Sequence, residues 1–115
     1  SLGLTPRRVP VVPAALEGHP GFSPPLIAYE GRDNVVAEYA PRGGGGRSLC
    51  LQGHVDVVPE GAADMWQTPP YQPAIHDGRI YGRGAGDMKA GIVSYCMAFR
   101  ALRLAGLAPA GPVQM

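Results

Sequence analysis

Two apolar runs in the first half of the chain, separated by a glycine-rich segment, predict two β-strands. The run at 34–39 (NVVAEY) is short and β-branched, and residues 48–58 form a longer, strongly apolar run that is closed by Pro59. Pro41 and four consecutive glycines at 43–46 lie between the two runs and predict a flexible turn. The two strands are therefore expected to pair as a hairpin with a glycine-rich loop.

The second half of the chain predicts a long loop, a very short strand and one helix. Residues 60–78 show little periodicity, and a loop of this length usually carries function or borders a site. A short strand at 79–81 is expected after the Asp77-Gly78 turn signal, and residues 112–115 look like the start of a further strand. This order of elements favours an α/β fold with an incomplete sheet, preceded by a proline-rich lead-in at 1–31.

The helix is predicted over residues 88–105, which contain no proline. Asp87 is a good N-cap residue, and Gly106 is a natural stop. Apolar side chains recur at the three-to-four spacing of a buried face, at Ile92, Cys96, Phe99 and Leu102. Because most other positions are apolar or small, we expect the helix to be covered on most sides.

Composition and charge argue against several classes of protein. The 115 residues carry a formal net charge of +1, which gives no electrostatic case for binding nucleic acid or an anionic membrane. No run approaches the ~20 apolar residues of a membrane span, and we recognise no signal peptide after Ser1. Cys50 and Cys96 lie in apolar runs, which favours two free, buried thiols over a disulfide. A cytoplasmic location is expected.

A first candidate site lies at the end of the second predicted strand, in residues 53–59 (GHVDVVP). Side chains two apart on a strand point to the same side, so His54 and Asp56 are expected to converge. A carboxylate beside an imidazole fixes its tautomer and raises its basicity, as a metal-ligating histidine requires. Taken alone, such a pair is more often a surface histidine with an unrelated aspartate.

A second candidate site is Asp87, which follows three alternating glycines, Gly82, Gly84 and Gly86. Glycine at alternate positions implies close backbone approach or positive φ, and a carboxylate placed by such a loop can bridge two cations. The simpler interpretation is that Asp87 only caps the helix. The glycine-rich turn also resembles a dinucleotide-binding fingerprint, but Asp87 occupies the third glycine position and would oppose a pyrophosphate.

Together, the two motifs resemble the M20 family of zinc-dependent exopeptidases and N-acyl-amino-acid deacylases, which includes acetylornithine deacetylase and succinyl-diaminopimelate desuccinylase. The resemblance rests on residues 53–59 and 78–91 (GRIYGRGAGDMKAG) and extends over roughly 32–115. It implies a partial, truncated zinc-exopeptidase-like catalytic domain with a mixed sheet flanked by helices. Residues 32–115 would be the N-terminal part of that domain, and 1–31 a lead-in.

The resemblance also implies roles for individual residues. His54 would ligate one metal, Asp56 would hold its imidazole, and Asp87 would bridge two metals. Zinc is expected, two per site, and cobalt or manganese can substitute. The family's general-base glutamate and remaining ligands match no residue of this chain. A non-proline cis peptide bond is expected at Asp87-Met88, whereas His19 and His76 are expected in solvated loops.

The implied reaction is hydrolysis of an amide bond in an N-acyl-amino acid or small peptide by a water activated at two metals. The family's dimerisation domain implies a homodimer of the full-length protein, and the 115-residue chain alone is expected to be inactive. Two other classes stay open, a dinucleotide-binding oxidoreductase and a non-catalytic relative. About two metals per full-length chain would favour the enzyme, and no metal would favour its rivals.

Overall fold

The computed structural model describes residues 2–41 and 43–115, which form two compact units. One unit comprises residues 3–50 and 109–115 and holds a four-stranded sheet. The other comprises residues 51–108 with Leu2, and holds a two-stranded hairpin and the helix. In chain order, the elements are β1 (Pro6–Val9), β2 (Asn34–Tyr39), β3 (Leu49–Cys50), β4 (Ala74–His76), β5 (Arg79–Tyr81), α1 (Gly91–Leu104) and β6 (Val113–Gln114).

The sheet is mixed, with the strand order β1-β2-β6-β3. Strand β2 pairs antiparallel with β1 and β6, and β6 pairs parallel with β3. The central β6 carries the buried Val113, which is only 4% exposed. The predicted α/β fold class is therefore confirmed. Strand β1 was not predicted, because Arg7 and Arg8 interrupt its apolar pattern.

The predicted strand at 34–39 is confirmed, but the predicted hairpin is wrong. Strand β6 lies between β2 and β3, and β3 is only two residues long. The described residues show no strand pairing for 51–58. Gly46, the last of the four glycines, has another role: a Cβ there would overlap the backbone nitrogen of Gly111, so the lack of a side chain lets these two backbone segments touch. This contact lies next to β6, the strand that is inserted between β2 and β3.

The helix begins later than predicted. Regular α-helix starts at Gly91, and the wide turn Ala85–Ala90 before it has non-helical dihedrals at Asp87 and Met88. Asp87 is therefore not the N-cap of α1, which the described residues leave without a side-chain cap. The predicted stop at Gly106 is confirmed, because its φ is +73° and it closes a Schellman motif.

The buried face of the helix is smaller than predicted. Phe99 is 4% exposed, and Ile92 and Cys96 are half-buried. Leu102, however, is 42% exposed, and Val93 is 59% exposed. Within this chain, α1 is therefore covered on one side rather than on most sides.

The long connection contains structure that the sequence did not predict. Strand β4 pairs antiparallel with the predicted β5, and the turn residues Asp77 and Gly78 have φ of 48° and 71°, as a tight hairpin requires. His76 thus lies in a strand, although exposed, and not in a loop. Cys50 and Cys96 are free thiols, but Cys50 is exposed rather than buried. Among the described residues, no helix is long and apolar enough to cross a membrane.

Candidate metal site

The imidazole of His54 is held by the residue two positions later. Its Nδ1 lies 3.1 Å from the backbone carbonyl oxygen of Asp56 and 3.4 Å from the Oδ1 of the same residue. A carbonyl oxygen can only accept, so Nδ1 donates and carries the proton. In the neutral ring this leaves the lone pair on Nε2, the nitrogen that faces away from Asp56.

The free nitrogen of His54 faces Asp87. Nε2 lies 3.2 Å from Asp87 Oδ1, and the side chain of Asp87 is 91% exposed. The three residues named from the sequence therefore lie together, as predicted. The peptide bond Asp87-Met88 is cis, which confirms the expected backbone, and Asp87 itself has φ −114° and ψ 101°.

Two glycines bring the segments of the site into contact. Gly53 precedes His54 and packs on the helix, where a Cβ would lie 2.7 Å from Ile92 Cγ1. Gly84 is buried with φ +79°, and a Cβ there would overlap Val57 Cγ1. A side chain at Gly53 would force Ile92 to shift, and one at Gly84 would force Val57 to shift.

The site opens into a cleft of about 200 Å³ that His54, Asp56 and Asp87 line together with Arg83. Arg83 donates to the Glu60 carbonyl at 2.9 Å, and its guanidinium carbon lies 5.0 Å from the centroid of a Trp66 ring. The same carbonyl accepts from Trp66 Nε1 at 2.9 Å. These contacts fix one wall of the cleft to the start of the long loop.

Hydrogen bonds and charges shift the pKa values of His54 and Glu60. The Asp56 carbonyl, followed by the charges of Asp56 and Asp87, raises the pKa of His54 above its ordinary value, although desolvation opposes this. A hydrogen bond from its own backbone N–H, and then one from Tyr71, lowers the pKa of Glu60. The proton that His54 gains at Nε2 would bridge to Asp87, so a cation at this position competes with that proton.

The donor atoms fit a shared metal ion in geometry but not in number. Two ligand atoms bound at ~2.0–2.1 Å to a tetrahedral zinc lie about 3.3 Å apart, close to the 3.2 Å between Nε2 and Oδ1. Across residues 2–41 and 43–115, however, no group of three or more His, Cys, Asp or Glu side chains could hold a metal ion. The described residues thus supply two ligands where a zinc site needs three or four.

Several contacts of the site were missed by sequence reasoning. The carbonyl of Asp56 lies closer to the imidazole than its carboxylate does, and Lys89 Nζ donates to the Val55 carbonyl at 3.0 Å. Arg83 is part of the motif at 78–91, but nothing in its spacing indicates the contacts with Glu60 and Trp66. Each of these contacts involves a backbone carbonyl or a ring distant in sequence.

Comparisons with known proteins support the resemblance. The chain is 50% identical over 60 residues to the succinyl-diaminopimelate desuccinylase of Azoarcus sp. (strain BH72), which covers 52% of this chain and 16% of that relative. It is 42% identical over 98 residues to the enzyme of the same name from Anaplasma marginale (strain Florida), covering 83% of this chain and 25% of the relative. The chain thus spans a quarter or less of the length of these relatives.

A solved structure and a family model agree with these relatives. The crystal structure of human carnosine dipeptidase 1 matches with a TM-score of 0.67 and 30% identity, over 98% of this chain and 22% of that chain. The model of Peptidase family M20/M25/M40 matches residues 50–115, more than half of the chain and both motifs of the site. The chain therefore belongs to peptidase family M20/M25/M40.

Proposed function

We propose that this chain supplies part of the active site of a metal-dependent hydrolase that cleaves an amide bond in an N-acyl-amino acid or small peptide. Residues 32–115 would form the N-terminal part of its catalytic domain. The observation that carries the proposal is the 3.2 Å separation of His54 Nε2 and Asp87 Oδ1, two donors that suit one metal ion. The homodimer and the cytoplasmic location stay predictions.

His54, Asp56 and Asp87 would have different roles at the metal. His54 offers Nε2 as a metal ligand because Nδ1 is held by Asp56, which fixes the tautomer and the ring orientation. Asp87 offers Oδ1 to the same ion. The Asp87 side chain is 91% exposed, which supports the proposal that it would bridge two ions.

Bound zinc would polarise the amide carbonyl and lower the pKa of a water molecule toward neutrality. The other ligands and the proton-accepting carboxylate would come from parts of the full-length protein outside this chain. The cleft beside His54 and Asp87, about 200 Å³ in volume, would receive the scissile amide.

The test uses the full-length protein. Zinc content is measured after dialysis, and hydrolysis is assayed on N-succinyl-diaminopimelate, N-acetyl-amino acids and dipeptides, including carnosine. We expect about two zinc ions per chain and turnover of at least one substrate class. His54→Ala and Asp87→Asn should each lose bound zinc and activity.

A matched control and a graded variant make the test specific. His76 is an exposed histidine of β4 in the same unit, so His76→Ala should keep both zinc and activity. Asp56→Asn keeps the backbone carbonyl that holds Nδ1, so zinc affinity should fall by ~10–100-fold rather than vanish. A wild-type protein without bound metal, or an active H54A variant, would contradict the proposal.

A further inference from the structure

Lys89 connects the two segments that carry the candidate ligands. Its Nζ donates to the backbone carbonyl of Val55 at 3.0 Å. Val55 lies between His54 and Asp56, and Lys89 lies two positions after Asp87. Besides the contact of His54 with Asp87 itself, this hydrogen bond joins the His54 segment to the Asp87 segment right beside the donor pair.

The backbone of the glycine-rich turn leaves room for the Lys89 side chain to reach Val55. The Lys89 N–H donates to the Gly84 carbonyl at 3.1 Å, which places the residue against the glycine-rich turn. A Cβ at Gly84 would lie 2.7 Å from Nζ, so only glycine leaves room for the ammonium group at its present place. The lack of a side chain at Gly84 therefore leaves the space in which Lys89 Nζ reaches the Val55 carbonyl.

The donor in this hydrogen bond, the Lys89 ammonium group, carries a charge. Hydrogen bonds in which the donor is charged are roughly twice as strong as neutral ones. Val55 takes part in no described strand pairing, so no neighbouring strand holds its backbone in place. The contact from Lys89 is thus the one described side-chain hydrogen bond that fixes the carbonyl of Val55.

We infer that Lys89 is a positioning residue that sets the spacing of His54 Nε2 and Asp87 Oδ1 at a metal-binding distance. It does so by tying the carbonyl between His54 and Asp56 to the turn that carries Asp87. This inference rests on the proposed metal site, but it concerns a residue that contributes no ligand atom. Loss of the ammonium should loosen the pair and weaken metal binding without removing a ligand.

The experiment compares Lys89→Met with Arg100→Met in the full-length protein. Methionine keeps most of the lysine stem and removes the ammonium, and Arg100 is an exposed cation of α1. The zinc dissociation constant is measured by chelator competition, and the visible spectrum of the cobalt-substituted protein reports the ligand geometry. We expect K89M to bind zinc ~10–100-fold more weakly than wild type and to alter the cobalt spectrum, with R100M unchanged.

Two further variants separate positioning from a general effect on folding. Lys89→Arg keeps the charge and a donor, so it should recover part of the lost affinity. Should K89M fail to fold, Lys89→Gln carries the same test, because its shorter amide falls short of the Val55 carbonyl. A folded K89M or K89Q variant with the zinc affinity of R100M would overturn the inference. A wild-type protein that binds no zinc would instead overturn the proposed function, and the inference with it.

Discussion

Replacing Gly84 by alanine should disrupt the site from within the glycine-rich turn. Gly84 is buried with φ +79°, and an added Cβ would overlap Val57 Cγ1 and approach Lys89 Nζ to 2.7 Å. The lysine head can move away, but doing so breaks its 3.0 Å hydrogen bond to Val55. Val57 Cγ1 would also have to move, which would shift the segment that follows His54.

The cost follows from two terms that act together. Left-handed backbone costs a non-glycine residue ~1–2 kcal/mol, and overpacking costs ~1–3 kcal/mol. Alanine restricts the unfolded chain more than glycine does, which offsets ~0.4–1 kcal/mol of this loss. We therefore expect Gly84→Ala to lower the free energy of unfolding by about 1–5 kcal/mol.

Gly86→Ala is the matched control, because it lies two residues away in the same turn. A Cβ there meets nothing within 4 Å, and its φ is not in the left-handed region. It should change the free energy of unfolding by no more than ~1 kcal/mol, in the stabilising direction. Urea unfolding of the zinc-free, full-length variants measures both effects without the contribution of bound metal. Equal losses in G84A and G86A would refute the assignment of strain to Gly84.

Three further outcomes are expected. Arg83→Met removes a donor to the Glu60 carbonyl and should lower the free energy of unfolding in urea by roughly 1–3 kcal/mol, whereas exposed Arg79→Met should change it by less than ~0.5 kcal/mol. Because the folded pKa of Glu60 is lowered from 4.5, its contribution to stability is present above pH 4.5 and is lost as pH falls through the folded pKa. Tyr71→Phe should reduce this acid-side loss in urea titrations at several pH values, and an unchanged loss would contradict the role of the Tyr71 hydrogen bond. The isolated 115-residue chain with added zinc should show no turnover of the substrates named above, and rates comparable to the full-length protein would show that the catalytic residues are misplaced.

Elements with local signals were predictable from the sequence. The β-branched run of β2, the Asp77-Gly78 turn and the stop at Gly106 each depend on a few neighbouring residues, and the structure confirms them. Strand pairing was not predictable in the same way. Nothing near 43–46 indicates that β6, from the far end of the chain, separates β2 from β3.

The residues of the candidate metal site could be predicted from the sequence, but the contacts that hold them in place could not. Each motif alone favoured a simpler interpretation, but the resemblance of both motifs to the M20 family named His54, Asp56 and Asp87, and the structure places these three residues together. The contacts of Lys89 with Val55 and of Arg83 with Glu60 join a side chain to a distant backbone carbonyl. Since every residue has a backbone carbonyl, the sequence does not indicate which carbonyl accepts the hydrogen bond. The acceptor is known only once the fold is known.

The parallel pairing of β3 with β6 has a consequence for the order of folding. Cys50 and Gln114 face each other across this pair although they are 64 positions apart. Closing an unstructured loop of that length costs roughly 4 kcal/mol in chain entropy, which a two-residue ladder repays poorly. We therefore expect residues 51–108 to collapse first, because a compact intervening segment brings its two ends near each other before the ladder forms. A substitution of the buried Phe99 in α1, such as Phe99→Ala, should then slow the formation of the four-stranded sheet, although it changes no residue of that sheet.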